Sequence, residues 1–210
     1  HPNLEASLQA LFCERAANWY LNRLCNPTAT DTLEKVLERL ERYGQLARLL
    51  NQKANLWQEQ GHAIEAAHVH ERLALLYVHQ NDLVQACEHY ELAKGLAPER
   101  TEVLGALAEL YEKLQNVPAL VATLEQQAAV LSSAEAVTAF QRIASLSLES
   151  LKDGARAEAA LKTARALVPD DREVWNRLRA LYEQAHDDQG VVEQLLFEEG
   201  RLTDVAAKVE

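Results

Sequence analysis

The chain has 210 residues and sets 32 acidic side chains against 21 basic ones, and the resulting formal net charge of −11 argues against general binding to nucleic acid or to an anionic membrane. Hydrophobic residues make up 48%, while only 7 Gly and 5 Pro punctuate the chain, which favours long helices over turn-rich architectures. No apolar run reaches the roughly 18 residues a membrane span needs.

Leu, Ala, Glu, Gln and Arg dominate, all good helix formers, and no alternating Val/Ile/Thr segment of strand length occurs, so the expected fold is all-α. In chain order, residues 3–25 predict one helix, capped by Asn3, with Leu4, Leu8, Leu11 and Phe12 forming its apolar stripe. Pro27 closes that unit. Residues 31–43 form the next helix, with Leu33, Val36, Leu37 and Leu40 on one face and Gly44 as its stop. A partner over 45–60 buries Leu46, Leu49, Leu50 and Leu56 before Gly61. Helical pairs then follow at 62–79 with 83–95, 101–114 with 117–131, 133–150 with 154–166, and 172–185 with 188–199. Each pair meets at a short polar junction, which forces antiparallel neighbours. Ser132 with Glu135 reads as a capping box, and Thr203-Asp204 as the start of one more helix over 203–210.

The punctuation is periodic. Pro27, Pro98 and Pro169 recur every 71 residues, as do Gly61, Ser132 and Thr203. A fixed period marks a repeat array. An array ending inside a repeat, together with the absence of any Met, reads as a piece of a longer protein; the N-terminus also lacks the charged and apolar regions of a signal peptide. The three cysteines, Cys13, Cys25 and Cys87, form no CxxC pair, so buried thiols in a reducing, cytoplasmic setting are expected.

These hairpins resemble the tetratricopeptide repeat (TPR), a helix-turn-helix unit of about 34 residues. Residues 67–100 carry its signature as Leu73, Ala74, Tyr77, Ala86, Tyr90, Ala93 and Pro98, with His70 standing where the family has an aromatic or Leu. Residues 138–171 add Ala157, Leu161, Ala164 and Pro169. Trp175, Leu178 and Tyr182, and likewise Leu104, Leu107, Ala108 and Tyr111, match the first helix of further units. Arg179, Gln127 and Glu198 depart from the family's small residues. Units of 37 residues (30–66, 101–137, 172–208) alternate with units of 34 (67–100, 138–171), after an N-terminal helix or truncated repeat at 1–29. The small residues let helices approach closely and the large ones fill the space between turns.

The resemblance implies a right-handed superhelical solenoid of antiparallel helical hairpins, a protein–protein interaction scaffold whose concave groove is lined by the first helices. Carried over repeat by repeat, the groove positions are Asp31, Glu34, Glu38 and Glu41; His68, Glu71, Leu75 and Val78; Glu102, Gly105, Glu109 and Glu112; Ala139, Arg142, Leu146 and Glu149; and Glu173, Asn176, Ala180 and Glu183. More than half are carboxylates and Arg142 is the one Lys or Arg among them. Asp31, Glu102 and Glu173 sit in first turns, where the helix dipole favours them by about 0.3–1 kcal/mol. The rest predict an acidic groove for a partner protein or peptide with basic residues. Solvated charged faces are the simpler reading of such runs.

The carboxylate clamp by which some relatives hold chaperone tails is absent, since Glu71, Leu75 and Arg72, and then Gly105, Glu109 and Ala106, occupy its positions. No phosphate-cradling glycine loop, nucleophile elbow or Cys/His pairing points to an enzyme or a cofactor. The remote alternative is a metal site at His62, Glu65 and His68, on helical spacing but without the second His of an HExxH motif. Trp19, Trp57, Trp175, Tyr77, Tyr90, Tyr111 and Tyr182 read as hairpin core. A further alternative is a structural spacer or self-association segment, through end faces such as Leu4/Leu8/Leu11 or Val205/Val209.

Overall fold

The computed structural model describes the backbone of residues 2–98 and 100–207, and side chains within 4–98 and 100–202. Among the described residues the regular structure is helical throughout: α1 (Pro2–Asn22), α2 (Asp31–Arg39), α3 (Tyr43–Glu59), α4 (Ala63–His79), α5 (Leu83–Leu96), α6 (Thr101–Lys113), α7 (Val117–Ala128), α8 (Ser133–Leu146), α9 (Gly154–Leu167), α10 (Arg172–Gln184) and α11 (Asp188–Ala207). A 3₁₀ turn (Pro27–Thr30) leads into α2, and a π-helical turn (Ser147–Leu151) extends α8. The chain forms two compact units, His1–Leu110 and Tyr111–Glu210.

The junctions are built alike for a local chemical reason. One residue takes a left-handed conformation and the next caps the following helix: Asn81 (φ 60°) before Asp82, Gln115 (φ 55°) before Asn116, Lys152 (φ 56°) before Asp153, His186 (φ 53°) before Asp187. The capping oxygens of Asp82, Asn116, Asp153 and Asp187 accept from the backbone N–H three residues on, at 3.2, 3.3, 2.9 and 3.0 Å. The N–H groups of Asp82, Asn116 and Asp187 also reach back to the carbonyls of Tyr77, Tyr111 and Tyr182, each at 2.9 Å, so the signature tyrosines mark the last turn of their helices. Asp153 reaches back one residue further, to Ser147, because the π turn inserts an extra residue there.

In the first unit α1 packs on α2 and α3, α3 on α4, and α4 on α5. Leu37, Leu46, Leu50 and Leu73 are fully buried, each worth about 2 kcal/mol in apolar burial. In the second unit α7 packs on α8, α8 on α9, and α10 on both α9 and α11, around Val121, Ile143, Leu161, Val174 and Leu178. The indole N–H of Trp175 donates to the Pro169 carbonyl at 2.8 Å, tying the signature proline to the next helix.

Several expectations are corrected. Helix α1 starts at Pro2, ahead of the expected cap Asn3. Its buried face is Ala10, Cys13, Ala17 and Leu21, while Leu4, Leu8, Leu11, Phe12 and the expected core residue Trp19 are exposed. The helix carries two apolar stripes, and the one with small residues allows the closer approach to α2 and α3. Helix α2 ends before Glu41 (φ 55°), and Gly44 lies inside α3 rather than stopping the preceding helix. Cys25 is exposed in a left-handed turn (φ 48°), whereas Cys13 and Cys87 are buried as expected. Helix α11 runs unbroken through Thr203 to Ala207, where a new helix start was expected. The capping box at Ser132 holds: its N–H and hydroxyl both donate to the Glu135 carboxylate, at 3.3 and 2.7 Å.

Candidate protein-interaction surface

The expected groove carboxylates divide into paired and unpaired groups. In the first unit Glu34, expected on the open surface, is only 1% exposed and lies at the centre of an ion network. Lys53 Nζ of α3, itself 5% exposed, donates to Glu34 at 2.7 Å and to Asp31 at 2.6 Å. Arg72 of α4 donates to the other Glu34 oxygen and sits 3.5 Å from Glu38, and the Thr30 hydroxyl completes the shell at 2.9 Å. Cations that sequence reading left unassigned have taken up this part of the acidic row. Lys53 falls on the buried side of α3 and Arg72 follows Glu71 on α4, so spacing on one helix could not reveal the pairing across three.

Further along the same unit, Arg100 lies 2.8 Å from Glu71 and its guanidinium approaches His68 Nδ1 at 2.7 Å. Glu102 and Glu109 of α6 are exposed and have no ion pair among the described residues. The buried Tyr90 phenol titrates above its usual range, first because of burial and then because Glu71 and Glu109 both act on it. Glu41 stands apart, in the turn after α2, beside a cavity of about 410 Å³ with Ser7, Arg42 and Arg48. Leu75 and Val78 of α4 add an apolar strip, Leu75 being 58% exposed.

In the second unit Arg142 pairs with Glu112 at 2.6 Å, Arg177 with Glu173 at 2.7 Å, and Asn176 accepts from Arg179 at 2.6 Å. Glu149 and Glu183 are exposed without ion pairs among the described residues. The π turn carries Glu149 to the rim of a cavity of about 300 Å³, together with Ala144, Ser145, Leu148, Leu161, Arg177, Ala180, Leu181 and Gln184. Five of these nine lining residues are aliphatic.

The residues of the metal alternative are not gathered. His62 precedes α4, packs edge-on against Trp57 and sits 3.8 Å from Glu65, while His68 is engaged with Arg100. Among the described residues no three His, Cys, Asp or Glu side chains are placed to hold an ion, and no helix is long and apolar enough to cross a membrane.

Antiparallel helical hairpins with small residues at their contacts define the class: this is an all-α protein built of successive helical hairpins. No family model and no curated protein matches the chain. Solved structures do. BtubC (BKLC) from P. vanneervenii is 17% identical, with a TM-score of 0.43 over 98% of this chain and 90% of that one. MamA of AMB-1 is 18% identical, with a TM-score of 0.44 over 92% of both chains. The TPR-like repeats of a putative kinesin light chain from Podosopora anserina are 17% identical, with a TM-score of 0.43 over 86% of this chain and 98% of that one.

Proposed function

We propose that the chain is a protein-interaction scaffold whose unpaired carboxylates receive a partner segment carrying basic residues. The observation that supports it most is the division of the acidic row. Where pairing is complete the carboxylates serve the fold, and what remains without an ion pair among the described residues is Glu41, Glu102 and Glu109 in one unit and Glu149 and Glu183 in the other. Apolar ground occurs in both units, Leu75 and Val78 of α4 in the first and the aliphatic residues lining the cavity beside Glu149 in the second. A net charge of −11 adds long-range steering of a cationic partner. The expected result of reversing Glu109 or Glu149 to Lys is a loss of about tenfold in affinity for Lys/Arg-rich peptides, with a shallower salt dependence and unchanged thermal stability. Titration calorimetry over a salt series tests this; equal affinity and equal slope in the variants would sink it.

A second reading, self-association, has its own support. The outward face of α1 shows Leu4, Leu8, Leu11, Phe12 and Trp19 at 42–66% exposure, and α11 shows Val192, Leu195, Leu196 and Leu202 at 43–62%. Val209 and the Val205 side chain, named as part of an end face, lie outside the described residues. Head-to-tail pairing through these faces predicts a mass that rises with concentration in sedimentation and returns to the monomer on Phe12→Ser/Leu196→Ser substitution. A constant monomer mass up to high concentration removes this reading.

A further inference from the structure

His70 is the residue that breaks the repeat signature in 67–100, and it is 3% exposed. It faces His89 of α5, which is 7% exposed, with the two Nδ1 atoms 3.2 Å apart. The ring planes differ by 23° with centroids 5.4 Å apart. That combination means two nearly coplanar rings meeting edge to edge through their Nδ1 atoms, the geometry of an N–H···N hydrogen bond rather than of face-to-face stacking. The Gln58 side-chain amide of α3 approaches His70 Nε2 at 3.0 Å. With that amide donating, His70 must accept at Nε2 and carry its proton on Nδ1, which it donates to His89 Nδ1; His89 then carries its own proton on Nε2. Tyr77 of α4 covers the His89 ring, 7° from parallel at 5.3 Å.

One directed chain, Gln58 to His70 to His89, thus links α3, α4 and α5. We propose that it is an acid-sensitive latch: protonation of either imidazole breaks the chain's donor–acceptor order, encloses a cation, and loosens the α3–α4–α5 packing that presents His68, Glu71 and Leu75. A proton on either ring can be accommodated only if the Gln58 amide turns to offer its oxygen. The groups facing the pair are Gln58 from α3, Tyr77 from α4 and, through its charge alone, Glu88 from α5. None of them is an anion in contact with the rings, so the added charge has no direct partner.

Burial, and then the neighbouring His89, push His70 down to about 4, and burial outweighs Glu88 in lowering His89. A histidine lowered in the folded state contributes stability that is fully present above its ordinary value near 6.5 and is lost as the pH falls toward the folded value. For His70 alone, with a folded value of about 4, the folding equilibrium falls roughly 100-fold between pH 7 and pH 4.

The test is long-range ¹H–¹⁵N NMR of the full chain, followed by urea unfolding at pH 7 and pH 4.5. The expected spectra show His70 protonated on Nδ1 and His89 on Nε2 at pH 7, with the His70 midpoint near pH 4. Between the two pH values the wild type should lose roughly tenfold or more in its folding equilibrium beyond the loss in the His70→Leu/His89→Leu variant, whose carboxylates titrate alike. A His70 midpoint near the ordinary histidine value, or equal acid losses in wild type and variant, overturns the proposal. Should the variant fail to fold, the wild-type NMR titration decides alone.

Discussion

Replacing Lys53 with Met is expected to lower the stability of the first unit by about 3 kcal/mol, although the substitution keeps the length of the side chain. Lys53 is 5% exposed and its ammonium lies 2.7 Å from a Glu34 carboxylate that is 1% exposed. Taking the ammonium away leaves a buried anion with Thr30 and Arg72 for company, and a buried charge that loses a partner costs far more than an exposed pair contributes. Arg72 limits the damage because it still donates to Glu34. The companion variant Glu34→Leu/Lys53→Met should recover most of the loss, because it removes both enclosed charges and leaves Arg72, with 41% of its side chain exposed, free to turn toward Glu38 and water. Urea midpoints of the single and double variants form the check. A single variant as stable as wild type would mean that the network is solvated in solution and that Glu34 is available to a partner after all.

That network also shows which part of the site could be read from the sequence. The helical pairs and their junctions were legible because the junctions are short and polar and Pro98 and Pro169 fall between helices; that Asp82, Asn116, Asp153 and Asp187 cap the helices that follow is a finding of the structure. The row of carboxylates was legible as a row. Their neutralisation was not, because Glu34 meets Lys53 and Arg72, 19 and 38 residues on, and periodicity along one helix carries no information about distant partners. The face of α1 was misread for a related reason. Leu4/Leu8/Leu11/Phe12 and Ala10/Cys13/Ala17/Leu21 are both regular apolar stripes, and only the neighbouring helices choose between them. The π turn at Ser147–Leu151 has no residue code of its own, yet it sets where Glu149 points. His70 was legible as an exception to the signature. Its partner His89 was not, since a histidine beside Tyr90 breaks no rule of the repeat.

Gly190 and Gly105 should respond to the same substitution with opposite signs. A Cβ on Gly190 of α11 would stand 2.6 Å from the Tyr182 ring and 2.6 Å from Asp187 Oδ2. Neither neighbour can give way cheaply. Tyr182 is 6% exposed and its hydroxyl donates to Glu158 at 3.0 Å, while Asp187 caps α11 by accepting from the Gly190 N–H at 3.0 Å. Gly190→Ala therefore forces apart the ring and the cap that join α10 to α11, at an expected cost of about 2–3 kcal/mol. Gly105 of α6 has nothing within 4 Å of a built Cβ, so Gly105→Ala only removes backbone freedom from the unfolded chain and should stabilise by about 0.5–1 kcal/mol. The measurement is the urea midpoint of each variant. A Gly190→Ala protein as stable as wild type would mean that α11 does not seat on Tyr182 as described, and with it would go the closeness of α10 and α11 that frames the Glu183 side of the proposed surface.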